Sequence, residues 1–288
     1  MKTEKIPLIK SACVAIGLVE KDTMKPSGIL GSGFFISGDG LVMTAGHVLK
    51  KCKELRDKSR NEKHQYDLAV FKVTPVASSY DFHLSIIKIS KWTSMKITSS
   101  TTENGLPDTF DVGIAITKNV QHKPLPYLRI KKLSSSKLFD EVVMCGYPMA
   151  EQSLAIMIDG SGVRLSPIMQ FGRISGFIPV DNSQDPFGLQ TDIIGTGGSS
   201  GSPLVDLRDG RVVALAQRIV VSEVVDENGK NFLGYSRIGL MSGVTNAILH
   251  PLVMEAQKSI RSGAKTFSVD IKTATIGKPK YTFFADPK

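Results

Sequence analysis

Gly31-Ser-Gly-Phe-Phe-Ile-Ser-Gly-Asp-Gly-Leu-Val-Met-Thr-Ala-Gly-His47 holds two short apolar runs, Gly33–Ser37 and Leu41–Ala45, parted by Gly38-Asp39-Gly40 and followed by a histidine. Two such runs on either side of a tight turn signal read as paired strands. The pattern recurs at Cys13–Val19, Leu68–Val73, Leu84–Ile89, Val112–Thr117, Val142–Gly146, Arg173–Ile178, Gly210–Val221 and Ser236–Met241, each rich in Val, Ile or Phe and bounded by Gly, Pro, Asp or Ser. About ten strands with hardly any helical periodicity predict an all-β barrel or sandwich. The best helix signal is Val244 to Ile260, a stripe of Val244, Ile248, Leu252, Met254 and Ile260 ended by Ser262-Gly263; a shorter turn is expected after His47.

With 288 residues, 41% hydrophobic and 22% charged, the chain can bury a sizeable core. No apolar run approaches the roughly 18 residues a membrane-spanning helix needs, so no membrane role is expected. Cys13, Cys52 and Cys145 are three cysteines without CxxC spacing, which disfavours a disulfide scaffold or structural zinc site; metal and cofactors are expected to be none. Cys145 reads as buried, Cys52, among Lys50, Lys51 and Lys53, as a surface thiol. The +9 net charge concentrates at Lys50 to Lys63 and after Gln257, without interleaved aromatics or a nucleic-acid motif, so a solvated basic face is the better reading. Ser11 to Val19 follows Lys2 and Lys5 as in a signal peptide, but Lys10 within it and Glu20-Lys21 after it favour a strand. A cytoplasmic location follows as the default.

Three segments suggest chemistry. In Gly195-Thr-Gly-Gly-Ser-Ser200-Gly-Ser-Pro203 a serine flanked by Gly198 and Gly201 has little steric cover, as a nucleophile beside backbone oxyanion donors would need; a plain flexible turn is the alternative. Leu41-Val-Met-Thr-Ala-Gly-His47 puts an imidazole just past an apolar strand, where it can face a cleft. Phe110-Asp111-Val-Gly-Ile-Ala-Ile116 opens a strand with an acid able to orient that imidazole. His64, His83, His122 and His250 show no metal spacing and read as surface or packing residues.

In the order His47, Asp111, Ser200, the chain resembles the chymotrypsin-fold serine endopeptidases, and within them the HtrA/Deg-type proteases. The resemblance rests on Gly31 to Val48, Glu141-Val-Val-Met-Cys-Gly-Tyr-Pro148, Phe171-Gly-Arg-Ile-Ser-Gly176, Leu189-Gln-Thr-Asp192 and Ile238-Gly-Leu-Met-Ser-Gly243 in the expected order, covering about Ser11 to Ile260. It implies two packed six-stranded antiparallel β-barrels with a C-terminal helix. The expected layout is a protease domain over 1–260, with a first barrel over 11–130, a second over 137–243 and the helix at 244–260. A basic extension over 261–288, taken as a disordered end, leaves no room for a PDZ module.

The implied activity is hydrolysis of peptide bonds in protein or peptide substrates through an acyl-enzyme. Ser200 would be nucleophile, His47 base and Asp111 orienting acid, with the Gly198 and Ser200 amides as oxyanion hole. Asp67, in Tyr66-Asp67-Leu-Ala-Val-Phe-Lys-Val73, is a rival acid only 20 residues after His47, and Ser199 and Ser202 are rival nucleophiles. The substrate pocket is expected from Ile194, Gly195, Ala214, Ala216 and Gln217; the apolar Ile194 stands where a trypsin-type pocket would need a carboxylate and nothing in the set favours a charged group, which implies cleavage after small or medium apolar residues. A latent or inactive protease-fold scaffold holding a regulatory partner stands as the alternative.

Overall fold

The structure, a computed structural model, describes residues 5–61, 65–75, 82–99, 110–118, 124–148, 166–178, 181, 186, 188–225, 231–243 and 279–285. A short helix, α1 (Lys5–Ala12), leads into six strands: β1 (Cys13–Glu20), β2 (Pro26–Phe35), β3 (Leu41–Thr44), β4 (Tyr66–Pro75), β5 (Phe82–Ser99) and β6 (Phe110–Thr117). A second helix, α2 (Gly46–Lys58), follows β3. Antiparallel pairing runs β1–β2, β2–β3, β3–β6, β6–β5, β5–β4 and β4–β1, which closes the six strands into a ring. The next six are β7 (Glu141–Gly146), β8 (Ile168–Ile178), β9 (Gly188–Thr191), β10 (Pro203–Asp206), β11 (Val212–Val225) and β12 (Asn231–Gly243). They close in the order β7-β8-β9-β12-β11-β10, the same connectivity as the first ring. Closure pairs most of each barrel's strands on both sides.

Strand periodicity explains how one sequence serves two cores. Along β7, Val142 and Met144 pack inside the second barrel with Leu133, Ile174, Leu189 and Leu204. The alternate residues Val143 and Cys145 turn the other way and join Val14, Ile16, Phe34 and Val48 of the first barrel in a continuous core. Each large apolar side chain buried there contributes about 1.5–3 kcal/mol. The two barrels are therefore joined by side chains from alternate positions of the same strand.

Three expectations need correction. The segment after His47 is a 13-residue helix rather than a short turn. Its inner face is Val48, Leu49 and Cys52, so Cys52 is fully buried instead of lying among the lysines on the surface; burial pushes its thiol up to about 12. The basic tail is not wholly irregular, since β13 (Pro279–Ala285) pairs with β5 from Thr93 to Ser99. The expected helix at 244–260 lies outside the described residues, as do His64, His122 and His250. No helix among the described residues is long and apolar enough to cross a membrane.

The linker between barrels is pinned by ions. Lys131 Nζ donates to Asp206 Oδ2 at 2.6 Å and to Asp209 Oδ2 at 3.2 Å, while Arg208 forks onto both Asp206 oxygens. Burial alone would raise the Asp206 carboxyl, but the hydrogen bonds from Arg208 and Lys131 outweigh it and bring it down to about 2. A depressed carboxyl contributes stability that is complete above its unfolded pKa near 4 and is lost as pH falls through 2. Asp206→Ala should destabilise the fold by about 2 kcal/mol at pH 7, because it leaves the buried Lys131 ammonium with only the partly exposed Asp209 carboxylate. Urea unfolding across pH 2–7 checks both statements, since the variant should lose the wild type's stability gain between pH 2 and 4.

Candidate active site

β3 ends at Thr44, and the chain turns at Ala45 into α2 with His47 in its first turn. Ala45 has no side chain with which to cap the helix. Asp111 does this instead: its Oδ2 accepts the His47 backbone N–H at 3.0 Å and also the ring Nδ1–H in a short hydrogen bond. Register places the acid there, since β3 pairs with β6 through Thr44 and Gly113 and so brings Asp111 past the end of β3. The Asp111 side chain is 14% exposed and the His47 side chain 48%. The carboxylate is shielded and engages Nδ1, which leaves Nε2 of the exposed ring unprotonated, the tautomer a general base needs. Asp67, the rival acid, starts β4 and pairs with Lys88 Nζ at 2.7 Å, away from the histidine.

The nucleophile loop enters from the second barrel. Gly201 has φ +87° and lies so close to β2 and β3 that a Cβ would meet Ser32 O at 2.1 Å, Thr44 Oγ1 at 2.3 Å and Ala45 N at 2.9 Å. Only glycine fits, and its fit brings Ser200 beside the chain entering His47. Gly201 N donates to Ala216 O at 2.7 Å and Ala216 N to Ser202 O at 2.9 Å, so β11 holds the loop from below. Ser199 is 3% exposed with its Oγ accepting the Thr196 N–H, and Ser202 is fully buried. Ser200 is the half-buried one of the three, hence the serine within reach of a substrate. Its hydroxyl makes no hydrogen bond to a described residue, and the His47 ring bonds only to Asp111 among them. Base–nucleophile contacts are often long without substrate and tighten when it binds.

Ser199 N–H closes a turn onto Thr196 O at 3.0 Å, with Gly198 third in the turn at φ +84°. That combination is a type II turn, which requires glycine at that place. The Ser199 carbonyl accepts Ser202 N–H at 3.0 Å, so the Ser200 N–H, on the opposite side of the same planar peptide, points away from the loop interior. Neither the Gly198 nor the Ser200 amide donates to a described group.

A family profile described as trypsin-like peptidase domain matches residues 31–215, a span that holds His47, Asp111 and Ser200. The chain belongs to that family. No curated protein matches it. Solved structures similar to this trypsin-like domain include the MamO protease domain from Magnetospirillum magneticum in its apo form, 14% identical over 84% of this chain and 96% of that one, with a TM-score of 0.45. The HtrA-type protease AlgW with a decapeptide is 16% identical over 90% of this chain and 66% of that one, TM-score 0.48. An AlgW variant with a tripeptide is 15% identical over 90% and 63%, TM-score 0.47.

The residues expected to form the substrate pocket of the trypsin-like domain separate in the structure. Ile194 is 43% exposed, and Gln217 is half-buried at a bulge in β11. Gly195 is buried, and Ala214 and Ala216 turn into the core of the second barrel, because alternate β11 residues share its inner face. Those two alanines therefore offer no side chain to a pocket wall. Asp192 is taken up by β8, where its Oδ1 accepts Arg173 N–H at 2.6 Å. Among the described residues no three His, Cys, Asp or Glu side chains gather as a metal site would require.

Proposed function

We propose that this trypsin-like domain is a serine endopeptidase acting on protein or peptide substrates through an acyl-enzyme. The observation that carries the reading is the shielded Asp111 carboxylate bonded to both the backbone and ring of an exposed His47, beside the loop that presents Ser200. Ser200 Oγ attacks the scissile carbonyl carbon while His47 Nε2 takes its proton and Asp111 stabilises the imidazolium. The substrate carbonyl becomes an oxyanion held by the Gly198 and Ser200 amides. The carbon–nitrogen bond breaks as the imidazolium protonates the leaving amine, and a water activated by His47 then releases the acyl group from Ser200.

The preference is for small or medium apolar residues before the cut. Its support is the exposed Ile194, where a pocket for a basic residue would need a carboxylate, and the engagement of Asp192 by the Arg173 backbone N–H of β8. Incubation with unfolded casein and mass mapping of the new termini tests this. Cuts after Ala, Val or similar residues support it, and cuts confined to Lys and Arg contradict it. The open Ser200 hydroxyl favours one second reading, a latent enzyme whose base and nucleophile come together only when substrate or a regulatory partner binds.

A further inference from the structure

Ser32 reaches the nucleophile loop from the opposite barrel. It lies in β2, fully buried. Its backbone N–H donates to the Ser200 carbonyl at 2.8 Å, and its hydroxyl donates to the Gly198 carbonyl at 2.7 Å. The same hydroxyl accepts the Tyr147 backbone N–H at 2.8 Å, and the Ser32 carbonyl accepts Thr44 Oγ1 at 2.6 Å. The Ser32 Oγ is thus oriented from one side by Tyr147 and has one direction left in which to donate. Both carbonyls it governs belong to the two residues whose amides would form the oxyanion hole.

The consequence lies in turn chemistry. Type I and type II turns differ mainly by rotation of the central peptide through about half a turn, and only type II has its third residue at φ near +80°. Here the central peptide joins Gly197 to Gly198 and carries the Gly198 N–H. Neither the Gly197 carbonyl nor the Gly198 N–H bonds to a described group, so nothing on that peptide itself fixes its sense. The next peptide is fixed, because its carbonyl sits on Ser32 Oγ and its N–H on Thr196 O.

We propose that Ser32 is a positioning residue for the oxyanion hole: by holding the Gly198 carbonyl it keeps the 196–199 turn in its type II form and the Gly198 amide facing the cleft. This rests on the endopeptidase reading above. Because Ser32 belongs to the first barrel and the turn to the second, a working hole depends on the barrels being docked. Loss of the bond lets the central peptide turn over, which removes one of two donors without touching His47, Asp111 or Ser200.

The test compares wild type, Ser32→Ala and Ser32→Thr by inactivation with a fluorophosphonate and by crystal structures. Ser32→Ala should lower the maximal inactivation rate roughly 10- to 100-fold, up to the cost of one missing oxyanion donor. The half-saturating probe concentration should stay unchanged, a split that general loosening of the fold would not produce. Ser32→Thr, which keeps the hydroxyl, should recover most of the rate. The Ser32→Ala crystal should show Gly198 away from φ +84°. Equal rates in wild type and Ser32→Ala, or an unchanged turn in the variant, overturn the proposal. Should Ser32→Ala fail to fold, Ser32→Cys, a weaker donor of similar size, carries the same comparison. A wild type that takes no label is the result expected of a latent enzyme or an inactive scaffold, and the turn geometry of the variant then decides the Ser32 proposal by itself.

Discussion

Ser200→Ala and His47→Ala should each lower kcat by roughly a millionfold, and combining them should cost little more. The two groups act as one unit, since the hydroxyl is a poor nucleophile until the imidazole takes its proton. Neither change disturbs the core. Ser200 is half-buried in a loop, the His47 side chain is 48% exposed, and the backbone bonds holding both, Ser32 N–H to Ser200 O and His47 N–H to Asp111, survive truncation of the side chain. Melting temperatures should therefore stay within a few degrees of wild type while turnover of a peptide substrate disappears. An alanine variant retaining a tenth of wild-type kcat would remove that residue from the mechanism.

Asp111→Asn should cost about 10,000-fold in kcat with the fold retained. An amide at this site still offers an oxygen to the His47 backbone N–H, so the start of α2 keeps its cap. Toward the ring, the amide can present its NH2 and select the tautomer whose Nε2 bears hydrogen, which cannot take the Ser200 proton. It also brings no negative charge to stabilise the imidazolium. Asp67→Asn is the paired control. It weakens an ion pair with Lys88 that is about a third exposed, for which a loss of under 1 kcal/mol and full activity are expected. Steady-state kinetics on the two variants separates the acids directly.

The outline of the fold was legible because strands with one face in a core alternate on a period of two. Leu41–Ala45 and Val142–Gly146 needed nothing else. Asp111 and Asp67 both open an apolar strand, and what separates them in the sequence is the distance from His47: 20 residues leave too little chain for the strands between base and acid. What the sequence hid came from elements whose burial is partial. The second half of β5, Ser-Lys-Trp-Thr-Ser-Met-Lys-Ile-Thr-Ser99, is too polar to show as an apolar run, yet it pairs with β6 beside Asp111. Helix α2 is so charged that its thin apolar stripe, Val48, Leu49 and Cys52, reads as no more than a turn, and the lysines around Cys52 mask its inward side. Ala214 and Ala216 follow the nucleophile loop closely enough in sequence to read as pocket wall, where strand parity puts both in the barrel core. Ser32 had no signal of its own. A serine between two glycines reads as turn chemistry, and only the approach of the second barrel gives its hydroxyl a task.

Covalent labelling of the purified protein with a fluorophosphonate, with Ser200→Ala alongside, tests the central claim most directly. An activated serine beside formed oxyanion donors should take up one probe per chain, at a rate that falls to background in Ser200→Ala, with the adduct mapped to the peptide containing Ser200. Folded wild-type protein that remains unlabelled, or a label that persists in Ser200→Ala, would contradict the assignment of Ser200 as an activated nucleophile.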